Sequence, residues 1–347
     1  MDDTAFTREI NDQSSALMTV TDYYRSVAGN KILEQAIEAI RYTGKIIFTG
    51  MGTSLHVALS VRNEVVLCIP SCEIWDAGEL FHFGLRTVRE NTIVVAISQS
   101  GESAETRAVV RALADKNMII GLVNVSDSTI GNYADITLPI KGGAEVSISN
   151  KTYTNTLAVL LIIADRLSNI APETTFKNLY DVAKSMKKSL ANSERQAAQA
   201  AQFFKGMTSF HIIARGRDLT TAEQWSLIMK EAASLAAQGS SSGLFRHGPI
   251  EMGGPDLSLA CLVSEDTKPE LTISLGEELA DMGSRVLVIG DQFYDTTLEQ
   301  IVITSPSSRY FPISCAPFIE LFVHKVAKQL GRTAGVFTHA VKVTDRE

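Results

Sequence analysis

Short apolar runs rich in Ile and Val recur along this chain, each followed by a turn of small residues and then by a segment with helical spacing. Residues 45–49, 93–97 and 119–123 have this form, with shorter runs at 71–75 and 136–140; residues 209–214, 257–263, 285–289 and 300–304 repeat it. Strands that are apolar on both faces must be covered by helices on both sides, so the pattern predicts parallel α/β layers. Because the plan occurs twice, the expected fold is α/β with two tandem three-layer sandwiches, each a mainly parallel five-stranded sheet. Helices are expected over 104–116, 151–169, 220–235, 269–283 and 316–330, with another beginning at Leu55. A length of 347 residues also exceeds what one core usually serves. The expected organisation is a helical lead-in over 1–43, a first domain over 44–172, a polar helical linker over 173–205, a second domain over 206–333 and a tail over 334–347.

The run 93–97 opens into Ser98-Gln99-Ser100-Gly101-Glu102-Ser103, directly before a helical segment. A strand that ends in hydroxyl residues and restarts as a helix gathers free N–H groups, hydroxyls and the positive helix end at one point, which is a seat for phosphate. One serine would be explained as an N-cap; three serines and a glycine in six residues exceed what capping needs. The loop lacks the spacing and lysine of a nucleotide P-loop, and no Gly-x-Gly-x-x-Gly follows a strand, so a small phosphomonoester suits it better than a nucleotide. In open α/β sheets ligands gather where the strand order reverses, beyond the carboxyl ends of the strands. Gly50-Met51-Gly52-Thr53-Ser54, after the first strand, is therefore a plausible second wall. The corresponding loop of the second half, Ser264-Glu265-Asp266-Thr267-Lys268-Pro269, carries two carboxylates that would repel a phosphate, which leaves one seat per chain.

Composition excludes several function classes. The formal net charge is −7 with no basic tract, which argues against nucleic acid. No apolar stretch reaches the roughly 20 residues that span a bilayer. The polar, acidic start Met1-Asp2-Asp3-Thr4 is unlike a targeting peptide, so a cytoplasmic setting without a membrane partner is expected. Cys68, Cys72, Cys261 and Cys315 lie in or beside apolar segments without a nearby His, so they read as small hydrophobic residues, with neither metal nor disulfide expected.

Two further motifs join Gly52-Thr53-Ser54 and the serine loop: Ser149-Asn150-Lys151-Thr152-Tyr153-Thr154, and Lys230-Glu231 followed by His247-Gly248-Pro249. Together they resemble the SIS (sugar isomerase) family, and within it the isomerase half of the glutamine:fructose-6-phosphate aminotransferases. The lead-in Phe6-Thr7-Arg8-Glu9-Ile10 with Gln13 resembles the segment that precedes that half, so the resemblance spans almost the whole chain.

The resemblance implies that Ser98, Gln99, Ser100 and Ser103 hold the phosphate, with Thr53 and Ser54 completing the pocket. It implies that Gly52, Ser147 and Ser149 meet the sugar chain. Glu231 would move a proton between C1 and C2, and His247, reaching across from a second subunit, would assist ring opening. A homodimer, or a dimer of dimers, with a small sugar phosphate as its ligand and no cofactor is implied. Interconverting an aldose or its imine with a ketose needs one base that takes a proton next to a carbonyl carbon and returns it to the neighbouring carbon. Glu231 lies among apolar and small residues, 225–229 and 232–237, and burial there is expected to raise its pKa. A solvated helix glutamate and an incidental loop histidine are the plain alternatives. Arg215, Arg217 and Arg246 could aid anion binding or simply carry surface charge.

Departures from the family pattern narrow the activity. The chain has Asp2 and no Cys at its start, and no room for a glutaminase domain. Ile228 stands where the family has a lysine three residues before the acid/base glutamate, and Val341 where a lysine forms a Schiff base, with Lys342 adjacent as a speculative amine contact. The glycine loop before Lys151 is shorter, and Leu244 replaces a glutamate. These point away from complete glucosamine 6-phosphate synthesis and toward an isomerase, a deaminase or a fructosamine-6-phosphate deglycase. A non-catalytic sugar-phosphate sensor is the alternative of a different class.

Overall fold

The computed structural model describes residues 3–339 and 341–344, so the acidic start at Asp2 lies outside the described residues. Two parallel five-stranded sheets carry the fold. The first comprises β1 (Lys45–Gly50), β2 (Ser71–Asp76), β3 (Ile93–Ser98), β4 (Ile119–Val123) and β5 (Ile136–Pro139), in the order β2-β1-β3-β4-β5. The second comprises β6 (Ser209–Ala214), β7 (Ala236–Ser241), β8 (Ser258–Val263), β9 (Arg285–Gly290) and β10 (Glu299–Val302), in the order β10-β9-β8-β6-β7. Read from the opposite edge, the second order matches the first, and each reverses direction beside its first strand.

The helices are α1 (Ala5–Arg25), α2 (Val27–Thr43), α3 (Thr53–Ser60), α4 (Arg62–Cys68), α5 (Ala77–Glu79), α6 (Ala104–Leu113), α7 (Thr129–Tyr133), α8 (Lys151–Leu167), α9 (Pro172–Phe203), α10 (Arg217–Ala233), α11 (Ser242–Phe245), α12 (Pro269–Asp281) and α13 (Phe311–Gln329). The expected lead-in is broken at Ser26, whose hydroxyl accepts the Gly29 N–H and so starts α2. None of these helices is long and apolar enough to cross a membrane, among the described residues.

The chain divides into two compact units. One holds β1–β5 with residues 15–145, 151–180 and the tail from 339; the other holds β6–β10 with residues up to 14, 146–150 and 181–338. In the β1–β5 unit, Ile47, Val94, Ala96, Val109, Val110, Leu113 and Ile130 form one buried layer. α8 is buried along almost its whole length, from Lys151 to Leu167. In the β6–β10 unit the strands alternate. Phe210, Ile212, Ala214, Ala260 and Leu262 face the layer built by α10 and α13. Ile213, Leu259, Cys261 and Val263 face the layer with α12. Trp225 of α10 is fully buried edge-on to Phe210, Phe318 and Phe322, and truncating such a side chain to Ala costs about 3–5 kcal/mol. Phe6 and Ile10 of α1 belong to this same core.

Residues 236–241, not among the expected strands, form β7, which pairs with β6 over its full length and leads into α11. Its Ala-Ala-Gln-Gly-Ser-Ser sequence has no β-branched residue, so backbone pairing rather than propensity makes the strand. Cys68 and Cys72 are only half-buried, whereas Cys261 and Cys315 are buried; all four are free thiols.

Candidate functional site: two switch points, one open and one closed

In the β1–β5 unit the sheet reverses between β1 and β3, and both strands end there in the predicted loops. Ser103 occupies the N-cap position of α6, yet its hydroxyl makes no cap bond; it pairs instead with the Ser98 hydroxyl at 3.1 Å. Ser98 Oγ also accepts the Gly101 N–H, and Ser100 Oγ accepts the Glu102 N–H, each at 3.1 Å, so the loop curls around its own hydroxyls. Gln99 and Ser100 are half-buried. Gly101 has φ +70°, and a Cβ there would lie 1.9 Å from Ser128 Oγ, so only glycine fits.

Intrahelical bonding in α6 begins with Arg107 N–H to Ser103 O, which leaves the Glu105 and Thr106 amides without an intrahelical acceptor. The Ala104 amide donates to the Thr344 carbonyl oxygen at 3.0 Å. Glu102 braces the loop from behind: its carboxylate accepts the Thr129 N–H at 2.6 Å and hydroxyl at 2.9 Å, and pairs with Arg107 at 3.2 Å. The Thr129 amide is the main cause that holds the Glu102 carboxyl below its usual range.

The second wall follows the strand next to β3. α3 begins after Gly52 with Thr53 and Ser54 half-buried at its first turn. A Cβ on Gly50 would fall 2.8 Å from Ser54 Cβ and 2.9 Å from the Ile97 carbonyl oxygen, so the ends of β1 and β3 lie side by side across bare backbone. Hydroxyls, amides and two helix starts therefore converge, which is chemistry for a compact anion.

The β6–β10 unit repeats this framework and closes it. Gly216 precedes α10 with φ 57° and ψ −135°, close to the φ 52° and ψ −120° of Gly52 before α3. Where α3 continues Thr53-Ser54, α10 continues Arg217-Asp218. Asp218 is wholly buried, and its carboxylate accepts the Ser264 hydroxyl at 2.7 Å and the Thr267 hydroxyl at 3.1 Å. Burial pushes the Asp218 carboxyl up to about 7, against the lowering pull of those two hydroxyls. The protein's own carboxylate thus engages the hydroxyls of the loop after β8. The nearby arginines are also engaged: Arg217 with Asp266 at 2.5 Å, Arg215 with Ser242 Oγ at 2.7 Å and Arg246 with Glu278 at 2.6 Å.

The remaining expected residues divide between the units. Lys342, in the β1–β5 unit, is ion-paired at 3.0 Å with buried Glu145, which also accepts the Thr152 N–H and hydroxyl. Ser147, Ser149, Glu231 and His247 lie in the other unit. Glu231 is exposed, contrary to the expected burial. The inward face of α10 runs through Asp218, Ala222, Trp225, Ile228, Met229 and Ala232, and the helical period turns Lys230 and Glu231 outward whatever their sequence neighbours. His247 is exposed after α11, its amide donating to the Leu244 carbonyl at 2.9 Å. Ser147 is buried and gives its hydroxyl to Glu9, while Ser149 is half-buried. Among the described residues no group of three or more His, Cys, Asp or Glu is arranged to hold a metal ion.

Sequence reasoning missed Asp218 as a closing residue, although Gly216-Arg217-Asp218 stands at the same offset from its strand as Gly52-Thr53-Ser54. It also gave no role to Glu9, Glu102 or Glu145, whose signal is only their placement beside loops.

Comparison with known proteins places the chain. The SIS domain model matches residues 39–164. The glutamine–fructose-6-phosphate aminotransferase of Thermococcus kodakarensis is 29% identical over 313 residues, covering 86% of this chain and 50% of that protein. The chain thus spans about half the length of this curated relative. The C-terminal domain of glucosamine-fructose-6-phosphate aminotransferase from Francisella tularensis superposes with a TM-score of 0.82 at 20% identity, covering 95% of this chain and 97% of that one. Tagatose-6-phosphate ketose/aldose isomerase from Escherichia coli gives a TM-score of 0.84 at 18% identity, covering 97% of each chain. At such identities the superpositions speak for a shared fold, and the sequence match speaks for kinship. Residues 39–164 are thus a SIS domain, and over most of its length the chain is similar to the glutamine–fructose-6-phosphate aminotransferases.

Proposed function

We propose that this protein is a cytosolic phosphosugar enzyme acting on a ketose or amino-sugar 6-phosphate, as an isomerase, a deaminase or a fructosamine-6-phosphate deglycase. The observation that carries the reading is the serine loop, where Ser103 stands at a helix start without capping it and pairs with Ser98, with free α6 amides beside them. Ser98, Gln99, Ser100 and Ser103, with Thr53 and Ser54, grip the phosphate of the ligand. Ser149 and Gly52 meet the sugar chain. Glu231 takes the proton next to the carbonyl or imine carbon of the open-chain sugar and returns it to the adjacent carbon through an enediol or enamine. Its exposure in the single chain accords with a site completed by a second copy, from which His247 assists ring opening.

The regulatory alternative draws support from Ile228, which is buried where the family resemblance implies a lysine, and from exposed Val341. A panel of six-carbon keto and amino sugar 6-phosphates, and their amino acid adducts, separates the two readings by thermal shift followed by turnover. The enzyme reading expects turnover of at least one ligand and a roughly 100- to 10,000-fold drop in kcat for Glu231→Gln, with binding retained. Stabilisation without turnover of any ligand supports the sensor instead. Turnover untouched by Glu231→Gln removes Glu231 from the mechanism.

A further inference from the structure

We propose that Glu9 is a positioning residue, holding the loop 146–150 so that the Ser149 hydroxyl is set for the sugar chain; the inference rests on the phosphosugar reading above. Glu9 lies on α1 and is buried. One carboxylate oxygen accepts the Val146 N–H at 2.6 Å, and the other accepts the Ser147 hydroxyl and the Asn150 side-chain amide, the latter at 3.3 Å. Three donors from a five-residue segment converge on one charge. Charge-assisted bonds of this kind are about twice as strong as neutral ones, and this segment lies outside both sheets.

The convergence sorts the loop. Ser147 and Asn150 turn toward Glu9, and Ile148 enters the core shared with Phe6 and Ile10. Ser149 is the one remaining hydroxyl of the segment and is only half-buried. A carboxylate can satisfy all three donors. A glutamine of the same size offers one acceptor and one donor, so either the Val146 N–H or the Asn150 amide is left facing another N–H.

The test is calorimetric titration of the intact protein with fructose 6-phosphate and, separately, inorganic phosphate, for the wild type, Glu9→Gln, Ser149→Ala and the double variant. Each single change is expected to weaken fructose 6-phosphate binding about tenfold and to leave phosphate binding unchanged. The double variant is expected to be no weaker than the worse single one, because Glu9 acts through Ser149. Unchanged sugar-phosphate binding in Glu9→Gln, equal weakening of both ligands, or fully additive losses each overturn the inference. Should Glu9→Gln fail to fold, Glu9→Asp, which keeps the charge but withdraws it by one methylene, carries the same cycle. A wild-type protein that binds neither ligand sinks the phosphosugar reading itself. One that binds fructose 6-phosphate no better than phosphate overturns only the role given to the loop.

Discussion

The two switch points of this chain are built on the same strand order and the same glycine-led helix start, yet one is lined with hydroxyls and the other is filled by a carboxylate. At the first, Ser98 and Ser103 bond each other across the loop. At the second, Ser264 and Thr267 both donate to buried Asp218. A buried carboxyl group among hydroxyl donors takes from within the place that a bound phosphate would take from outside. The same framework therefore carries Ser54 two positions after its glycine at one switch point and Asp218 at the other, and only at the second does that residue engage the loop hydroxyls with a carboxyl group.

The contrast can be broken by experiment. Replacing Ser98, Ser100 and Ser103 together by alanine should weaken inorganic phosphate binding by about 1,000-fold, since each hydrogen bond to a charged group contributes about 1.5 kcal/mol or more. Replacing Ser264 and Thr267 by alanine should leave that affinity unchanged. Equal losses from both sets, measured by calorimetry, would erase the distinction.

Asp218 gives the next largest effect, on stability. Its folded-state pKa of about 7 lies above the ordinary 3.8, so between those values the folded protein binds a proton that the unfolded chain does not. Stability is then expected to fall as pH rises from about 4 to about 7, and the loss should be complete above 7. Three decades of proton affinity correspond to a ceiling of about 4 kcal/mol. Denaturant midpoints across this range should slope less in Asp218→Asn, and an unchanged slope would mean that another group titrates.

Gly101→Ala should cost about 2–4 kcal/mol, because a methyl group would meet Ser128 Oγ in a backbone region that side chains avoid. A melting temperature within one or two degrees of the wild type would show that the loop yields, and that its curl is not rigid. The smallest effect is expected for Glu102→Gln, about 1 kcal/mol from weaker bonds to Thr129 and Arg107. Phosphate affinity should fall with it only slightly, as calorimetry can check.

Much of this was legible in the chain itself, for identifiable reasons. β3, β4, β8 and β9 are apolar and rich in branched residues because helices cover both their faces, so burial wrote them into the sequence. The place of the serine loop was legible because it stands between an apolar strand and a segment of helical spacing. β7 was not, since its identity rests on pairing with β6. Asp218 was hidden because an aspartate in a first helical turn ordinarily marks a solvated residue favoured by the dipole. The exposure of Glu231 was misread from neighbours in sequence, whereas the helix period decides which way a side chain points. Glu9 acts on a loop far along the chain and Glu145 pairs with Lys342 in the tail, and no local pattern records either.

The bond from the Ala104 amide to the Thr344 carbonyl joins two backbone groups, so exchanging either side chain cannot abolish it. The exchange rate of that single hydrogen for deuterium becomes a gauge of whether the last described stretch of the chain is docked. Because the same helix start faces the proposed phosphate seat, inorganic phosphate that fills it should alter that rate, a readout that needs neither a label nor knowledge of the true substrate.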